Sequence, residues 1–359
     1  MNIRAVTLMV GSVYKKDLNE SLNIVENITS KFLEMVDSLK SENKVWTIRL
    51  ALPYVSMEVR NLEKYAEVYE ELAEKYSINF VSTLHFKSHD NRIWNIPQIL
   101  KNNEKTFGSI VLESMEDVPY VSKVIEELDE NSGYKLSAIW GEIVTPYFPA
   151  ARAPIGVDGV SYMPFVVEEY LNRSFKEAES ALLKTVKTTS EAIRVATEHL
   201  GLKFLGVDLS PSPWMDVSVA KVIEKIGGIR FGEYGTLHSI WMLNRSIANV
   251  SSKLNDRIIG FNEVMLAVAE DNVLKERAVE RTYTIKDLVH YTFACVYGLD
   301  MVPVSKPLSY RKIAKILYDL KTASTIKGKP VGFRIIPVTA EPGSIIELGF
   351  FGNAPVFKL

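Results

Sequence analysis

The chain has 359 residues, 47% hydrophobic and 24% charged, with 42 Lys+Arg against 44 Asp+Glu and a single cysteine, Cys295. That is enough apolar residue for a sizeable core, and one cysteine excludes an internal disulfide and any multi-cysteine zinc or iron–sulfur site within the chain. A formal net charge of −2 removes the main argument for a nucleic-acid partner, since affinity for a phosphate backbone comes from clustered positive charge.

Strand-like and helix-like segments alternate along the chain. In order they read as a strand over 3–10, a helix over 18–39, a strand over 45–52, a helix over 61–76, strands over 78–83 and 107–113, a helix over 118–128 and a strand over 136–140. An irregular stretch, 142–159, follows. Then come a strand over 159–166, a helix over 174–200, a strand over 203–209, a helix over 216–226, a strand over 229–232 and a helix from 236. The last segments are a strand over 263–268, a helix over 285–297, a strand over 301–304, a helix over 310–322 and a strand over 331–338. The strands are short, β-branched or aromatic, and end in turn residues. The clearest helix is 174–200: Phe175, Ala178, Leu182, Val186, Thr189, Ile193, Ala196 and Leu200 recur at steps of three and four, and Ser174 with Glu177 has the spacing of a capping box.

Strand-then-helix repetition predicts an α/β fold with a mainly parallel sheet. About ten such units favour a closed barrel of about ten strands with outer helices, although two open sheets also fit. No linker or low-complexity segment divides the chain, so 1–359 reads as a single α/β barrel domain, with 142–159 as a hinge or a loop over a site. No apolar run reaches the ~20 residues of a membrane-spanning helix. The start, MNIRAVTLMVGSVYKK, reads as a strand rather than a leader. A reducing cytoplasm is the expected location.

Five constellations carry candidate chemistry. Asp208 and Ser210 lie in VDLSPSP, after a strand, where α/β proteins gather functional side chains; the competing reading is a proline-held turn whose polar groups satisfy the backbone. Gly232, Gly235 and Thr236 in FGEYGT enter a helix and can turn N–H groups toward an anion, against a plain turn capped by Thr236. Glu270 and Asp271 in AVAEDN are candidates for acid–base work or cation binding. As neighbours they point to opposite faces, so only one lines a given pocket; the alternative is a helix start with acids placed for its dipole. In CVYGLDMVPV, Cys295 is a nucleophile only beside a cation or base and otherwise a small buried apolar residue; Asp300 is the better candidate for the mouth. Arg334, inside a predicted inner strand, needs a carboxylate or an anionic ligand, because an unpaired buried guanidinium is costly. The histidines, His85, His89, His199, His238 and His290, show no metal spacing of the zincin kind, since His85 and His89 are four apart in HFKSHD, which is not clearly helical, and no metal or cofactor is assigned.

Taken in order, MNIRAVTLMV, VDLSPSPWMDVSVAKVIEKIG, FGEYGT, VAEDN, CVYGLDMVPV and FRIIPVTAEPGSIIELGFFGNAPV resemble domain of unknown function 711, also called uncharacterised protein family 0210. The resemblance covers nearly the whole chain and is strongest from Val207 onward. It implies a fold similar to the closed barrel of pyruvate formate-lyase and related glycyl-radical enzymes. It does not imply their reaction: the tail Leu348-Gly349-Phe350-Phe351-Gly352-Asn353 lacks the radical-glycine pattern, and Cys295 is the only thiol. The chain departs from the family pattern at Thr236 and His238, at Ala269-Glu270-Asp271, in the glycine-poor stretch 251–262, and in the loops 86–94 and 147–159. The family carries no established activity to transfer.

The expectation is a barrel that binds a small anionic metabolite in its mouth, as a binding protein or as an enzyme without glycyl-radical chemistry. Asp208, Glu270 and Asp300 are its expected catalytic or cation-binding carboxylates, and Ser210, Gly232, Gly235, Thr236, Asp271 and Arg334 its expected ligand-binding residues. The alternative is a non-catalytic scaffold or regulatory subunit that meets a partner through Trp94, Tyr147, Phe148 and Trp214. Neither a nucleic acid nor a membrane is expected as a partner; self-association is a base-rate expectation.

Overall fold

A computed structural model describes residues 2–41, 43–254 and 258–359. The chain begins with β1 (Asn2–Val10), α1 (Leu18–Lys40), β2 (Lys44–Ala51), α2 (Leu62–Lys75), β3 (Phe80–Lys87), α3 (Ile96–Asn102), β4 (Thr106–Leu112), α4 (Val118–Glu126) and β5 (Leu136–Trp140). It continues with β6 (Asp158–Pro164), α5 (Val166–Leu171), α6 (Phe175–His199), β7 (Lys203–Val207), α7 (Val219–Gly227), α8 (Thr236–Ser251), β8 (Met265–Ala267), α9 (Asn272–Val279) and α10 (Ile285–Tyr291). It ends with β9 (Tyr297–Asp300), β10 (Val302–Ser305), α11 (Tyr310–Lys327), β11 (Val331–Phe333), β12 (Ile335–Val338), β13 (Ile345–Glu347) and β14 (Asn353–Pro355).

Eight strands form one sheet in the order β11-β5-β4-β3-β2-β1-β6-β7. The fold is therefore α/β with a large, mostly parallel sheet. Strands β1 to β5 run parallel, and β7 runs parallel to β6. Two seams are antiparallel: β6 lies on β1 with Ser161 opposite Thr7, and β11 lies on β5 with Gly332 opposite Ile139. Hydrogen bonds continue past both edges toward the parallel pair β8 and β9. Gly332 and Arg334 donate their N–H groups to Val296 and Leu299 at 3.0 and 3.1 Å, and Met265 N–H reaches Pro211 O at 3.0 Å.

One face of the sheet lies under helices. Val6, Leu8 and Val10 of β1 join Val25, Phe32 and Val36 of α1 in the main core, as the alternation of side chains along a strand requires. On the other face, Ala5 packs with Tyr147 and Ala150, and Met9 with Ala151 and Ala153. The irregular segment between β5 and β6 thus runs along the sheet's inner face, with Thr145 and Ala151 fully buried. Helix α6 buries the predicted stripe of Ala178, Leu182, Val186, Thr189 and Ile193, and Glu177 accepts the Ser174 N–H at 3.0 Å.

Several expected elements differ. No strand forms over 229–232. Gly228 ends α7 at φ 62°, and Phe231 fills a ring cluster with Tyr283 and Tyr291 at 5.3 and 5.5 Å, so its apolar character serves packing rather than a ladder. The predicted strand over 331–338 is broken at Arg334 into β11 and β12, which pair with β5 and β10 respectively. The predicted strand over 301–304 forms as β10, and a strand that was not predicted, β9, precedes it, with Met301 at φ 51° between them. Helix α10 stops at Tyr291 because the chain turns back into β9. There the backbones approach so closely that a Cβ on Gly298 would sit 2.1 Å from Leu288 O. The middle of the stretch 251–262, residues 255–257, lies outside the described residues. Among the described residues no helix is long and apolar enough to cross a membrane.

Candidate functional site

A cavity of about 350 Å³ opens at one end of the sheet, within the ~300–1,000 Å³ of small-molecule sites. The antiparallel seams decide what lines it. Arg4, Arg49, Phe80 and Phe107 come from the first strands, while Ser212, Glu270, Asp300 and Arg334 come from segments that follow β7, β8, β9 and β11 or end them. Tyr147 and Phe148 of the inner segment also line it.

Glu270 ties two of the arginines together. Arg4 donates to Glu270 Oε2 at 2.8 Å and to Pro213 O at 2.8 Å. Arg334 Nη2 lies 3.6 Å from Glu270 Oε1, and its Nε donates to Asp300 Oδ1 at 2.5 Å. Such pairing is what buried charges require. Burial pushes the Asp300 carboxyl above the usual carboxylate range, with Arg334 pulling the other way. Burial opposes the charge of Arg334 too, but Asp300 holds it and the balance raises it.

Arg49 is different. Its Nε donates to Thr47 Oγ1 at 3.0 Å, and Thr47 in turn donates to Arg4 O at 2.8 Å. Neither Nη of Arg49 has a hydrogen-bond or ion-pair partner among the described residues, although the side chain is only 6% exposed. Its guanidinium lies 5.1 Å from the Phe148 ring and 5.7 Å from the Phe80 ring, contacts that favour a cation modestly. Burial, then the charge of Arg4, pulls this group down to about 9. Three arginines and two carboxylates line the cavity, so one positive charge is left over.

The walls are aromatic. Trp46 and Trp214 lie 4.6 Å apart, with Phe350 6.4 Å beyond Trp214. Across from them Phe80, Phe107 and Phe148 form a chain at 5.3 and 5.6 Å.

The family model described as Uncharacterised ACR (DUF711) matches residues 1–349. The chain belongs to the DUF711 family. Relatives named UPF0210 protein include that of Sulfurisphaera tokodaii, 25% identical with 100% of this DUF711 chain and 90% of the relative covered. That of Methanopyrus kandleri is 26% identical over 100% and 91%. The Sulfurisphaera alignment runs over 405 positions against the 359 of this chain, so that relative carries segments the DUF711 chain lacks. Among solved structures, an anaerobic ribonucleotide reductase gives a TM-score of 0.46 at 8% identity, covering 93% of this chain and 70% of that one. The Thermotoga maritima anaerobic ribonucleotide reductase with citrate in the active site gives 0.45 at 8%, covering 94% and 79%. Neither likeness bears on what the DUF711 chain binds.

Of the residues singled out from sequence, Glu270, Asp300 and Arg334 meet in the cavity of the DUF711 chain, and Asp208, Ser210, Gly232, Gly235, Thr236 and Asp271 do not line it. Asp208 is fully buried and faces backbone: it accepts from Ser210 N and Oγ, Thr145 Oγ1, Phe261 N and Asn262 N. Gly260 makes that grip possible, since a Cβ there would lie 1.8 Å from Asp208 Oδ2. Ser210 gives its hydroxyl to Asp208 and its carbonyl to Tyr147. Asp271 caps two helices at once. It accepts from Val273 N and Leu274 N at the start of α9, and from Ser218 Oγ, Val219 N and Ala220 N at the start of α7. Gly232, Gly235 and Thr236 form a self-satisfied turn: Thr236 Oγ1 accepts from Gly232 N and donates to Glu233 O. Among the described residues no three His, Cys, Asp or Glu side chains converge as metal ligands.

Sequence reasoning passed over Arg4 and Arg49. Each interrupts an apolar strand (NIRAVTLMV and KVWTIRLA), the signal that drew attention to Arg334. Cys295 is fully buried, and burial pushes its thiol up to about 12. It is therefore expected to resist thiol reagents in the native protein and to react only on unfolding, as a labelling time course in rising urea will read. Rapid native labelling would contradict this.

Proposed function

We propose that this chain binds a small anionic molecule in the cavity, with Arg49 pairing the anionic group. The observation that carries the reading is the buried Arg49, whose two Nη groups have no partner among the described residues. A charge removed from water is held only at a penalty of several kcal/mol unless an opposite charge meets it, and a bound anion supplies that charge. Glu270 and Asp300 are both engaged by arginines. We read them as the frame that sets the guanidinium groups in place rather than as proton carriers. Asp208 and Asp271 hold backbone in this reading, and the Gly232–Thr236 turn takes no part.

We infer further that the β8/β9 pair completes the eight-stranded sheet as a closed barrel of ten strands. The bonds from Gly332 and Arg334 to the β9 region and from Met265 to Pro211 support this, as does the bridge between Val207 and Ile258. The scaffold alternative draws less support. Of the aromatics it would use, Tyr147, Phe148 and Trp214 line the cavity, and Trp94 is the outward one, 45% exposed.

The test is a thermal-shift screen of simple anions against the wild type and Arg49→Met. The variant is expected to melt at or above the wild-type temperature, because it exchanges an unpaired buried cation for an apolar chain of similar length. Its anion-induced shift is expected to vanish. A shift that survives in Arg49→Met, or no shift with any anion, overturns the reading. Burial and the charge of Arg4 pull Arg49 down to about 9, so affinity is expected to weaken rather than strengthen between pH 7 and pH 10; tighter binding at pH 10 would contradict the assignment to Arg49.

A further inference from the structure

We propose that the ligand of this cavity is a flat monocarboxylic acid, an aromatic or conjugated carboxylate whose charged end sits on Arg49 and whose plane lies among the tryptophan and phenylalanine rings. This rests on the anion-binding reading above and narrows it by charge, by donor geometry and by the character of the walls.

Charge comes first. With Glu270 answering Arg4, and Asp300 answering Arg334, one cation is left. A monoanion brings the site to neutrality. A phosphate monoester carries about −1.5 to −2 near neutral pH and would leave an unanswered negative charge in a largely buried site.

Donor geometry comes second. Thr47 takes the Nε of Arg49 and commits its own proton to Arg4 O, so the guanidinium plane is held from behind. The two Nη groups are left as a pair of donors on one edge. That fork matches the two oxygens of a carboxylate.

The walls come third. Rings supply ten of the residues around the cavity, and Met265 and Met301 add further apolar surface. Several of the polar groups there are already engaged: Asn79 Oδ1 holds Ile48 N at 2.8 Å, Tyr147 donates to Ser210 O, and Tyr297 pairs with Ser137. A polyhydroxylated acid would set most of its hydroxyls against ring faces, where each one left without a partner is costly. A flat apolar body loses nothing and stacks. At the rim Trp46 is 39% and Phe350 61% exposed, so both rings gain burial when such a body enters.

The experiment is a titration of the full chain, followed by intrinsic tryptophan fluorescence and by melting temperature. The probes are benzoate, cinnamate and indole-3-acetate as planar acids, acetate and gluconate as non-planar ones, and phenyl phosphate as the dianion. Planar acids are expected to bind more tightly than acetate, gluconate and phenyl phosphate, and to perturb the emission of Trp46 and Trp214. Arg49→Met is expected to weaken them about a hundredfold. Trp214→Ala is expected to weaken the planar acids about tenfold while leaving acetate unchanged, which loss of folding would not do. If gluconate or phenyl phosphate binds best, and does so through Arg49, the planar-acid class is overturned and the anion site stands. If no probe binds, or binding ignores Arg49→Met, both fall.

Discussion

Asp271→Ala is expected to destabilise the protein by about 3–5 kcal/mol, with no change in what lines the cavity. One fully buried carboxylate accepts five hydrogen bonds, four of them from backbone N–H groups that open α7 and α9. Removing a helix cap typically costs about 1 kcal/mol, and each buried donor left without a partner costs about 1–3 kcal/mol. Two helices lose their first-turn acceptor together, so the effects fall on one site and do not average out. Asp271→Asn keeps one acceptor oxygen and is expected to lose roughly half as much. Equilibrium urea unfolding reads both; a loss under about 1 kcal/mol for the alanine variant would show that water replaces the carboxylate.

Glu270→Ala is expected to cost a similar amount, about 3–5 kcal/mol, for a different reason. Glu270 stands between Arg4 and Arg334, at 2.8 and 3.6 Å, and no other carboxylate is paired with Arg4 among the described residues. Removing it leaves like charges facing one another in a site where Arg49 already lacks a partner. Adding Arg4→Met to Glu270→Ala is expected to recover much of the loss, since the double variant removes a charge pair rather than breaking one. The same substitution changes selectivity. With Glu270 neutral, the excess in the cavity rises from one positive charge to two, so Glu270→Gln is expected to bind phenyl phosphate better relative to benzoate than the wild type does. Competition between the two probes, followed by melting temperature, checks it; an unchanged ratio would mean that this carboxylate does not govern the charge felt by the ligand.

The strand-and-helix alternation was legible because it is a local property. The stripe of α6 and its Ser174–Glu177 cap are written in residues three and four apart, and nothing distant overrides them. The antiparallel seams were not legible. Whether β6 returns up or down beside β1 is fixed by the path of residues 142–157 through the interior, and that path leaves no periodic trace. The acids show the same limit. Asp208, Glu270, Asp271 and Asp300 all follow or end apolar strands, and in sequence they look alike. The short turn over Val268–Glu270 sends Glu270 toward the arginines and its neighbour Asp271 toward two helix starts. The arginines are where more was readable. The reasoning applied to Arg334, that a guanidinium in an apolar strand must have an answering charge, applies unchanged to Arg4 and Arg49. It needed only to be asked of every strand.

The order in which the cavity's parts leave the ribosome follows from the seams. Arg4 is on the first strand, Glu270 comes 266 residues later, and Arg334 sits between β11 and β12. A nascent chain can pair β1 through β5 early, as N-terminal segments generally do, but it then carries two arginines and none of the carboxylates that answer the cluster. The cavity is complete only when Arg334 and, later still, Phe350 and Phe351 have emerged, which makes it a product of long-range contacts. A molecule that binds only the assembled cavity would stabilise only chains in which these distant segments have already met.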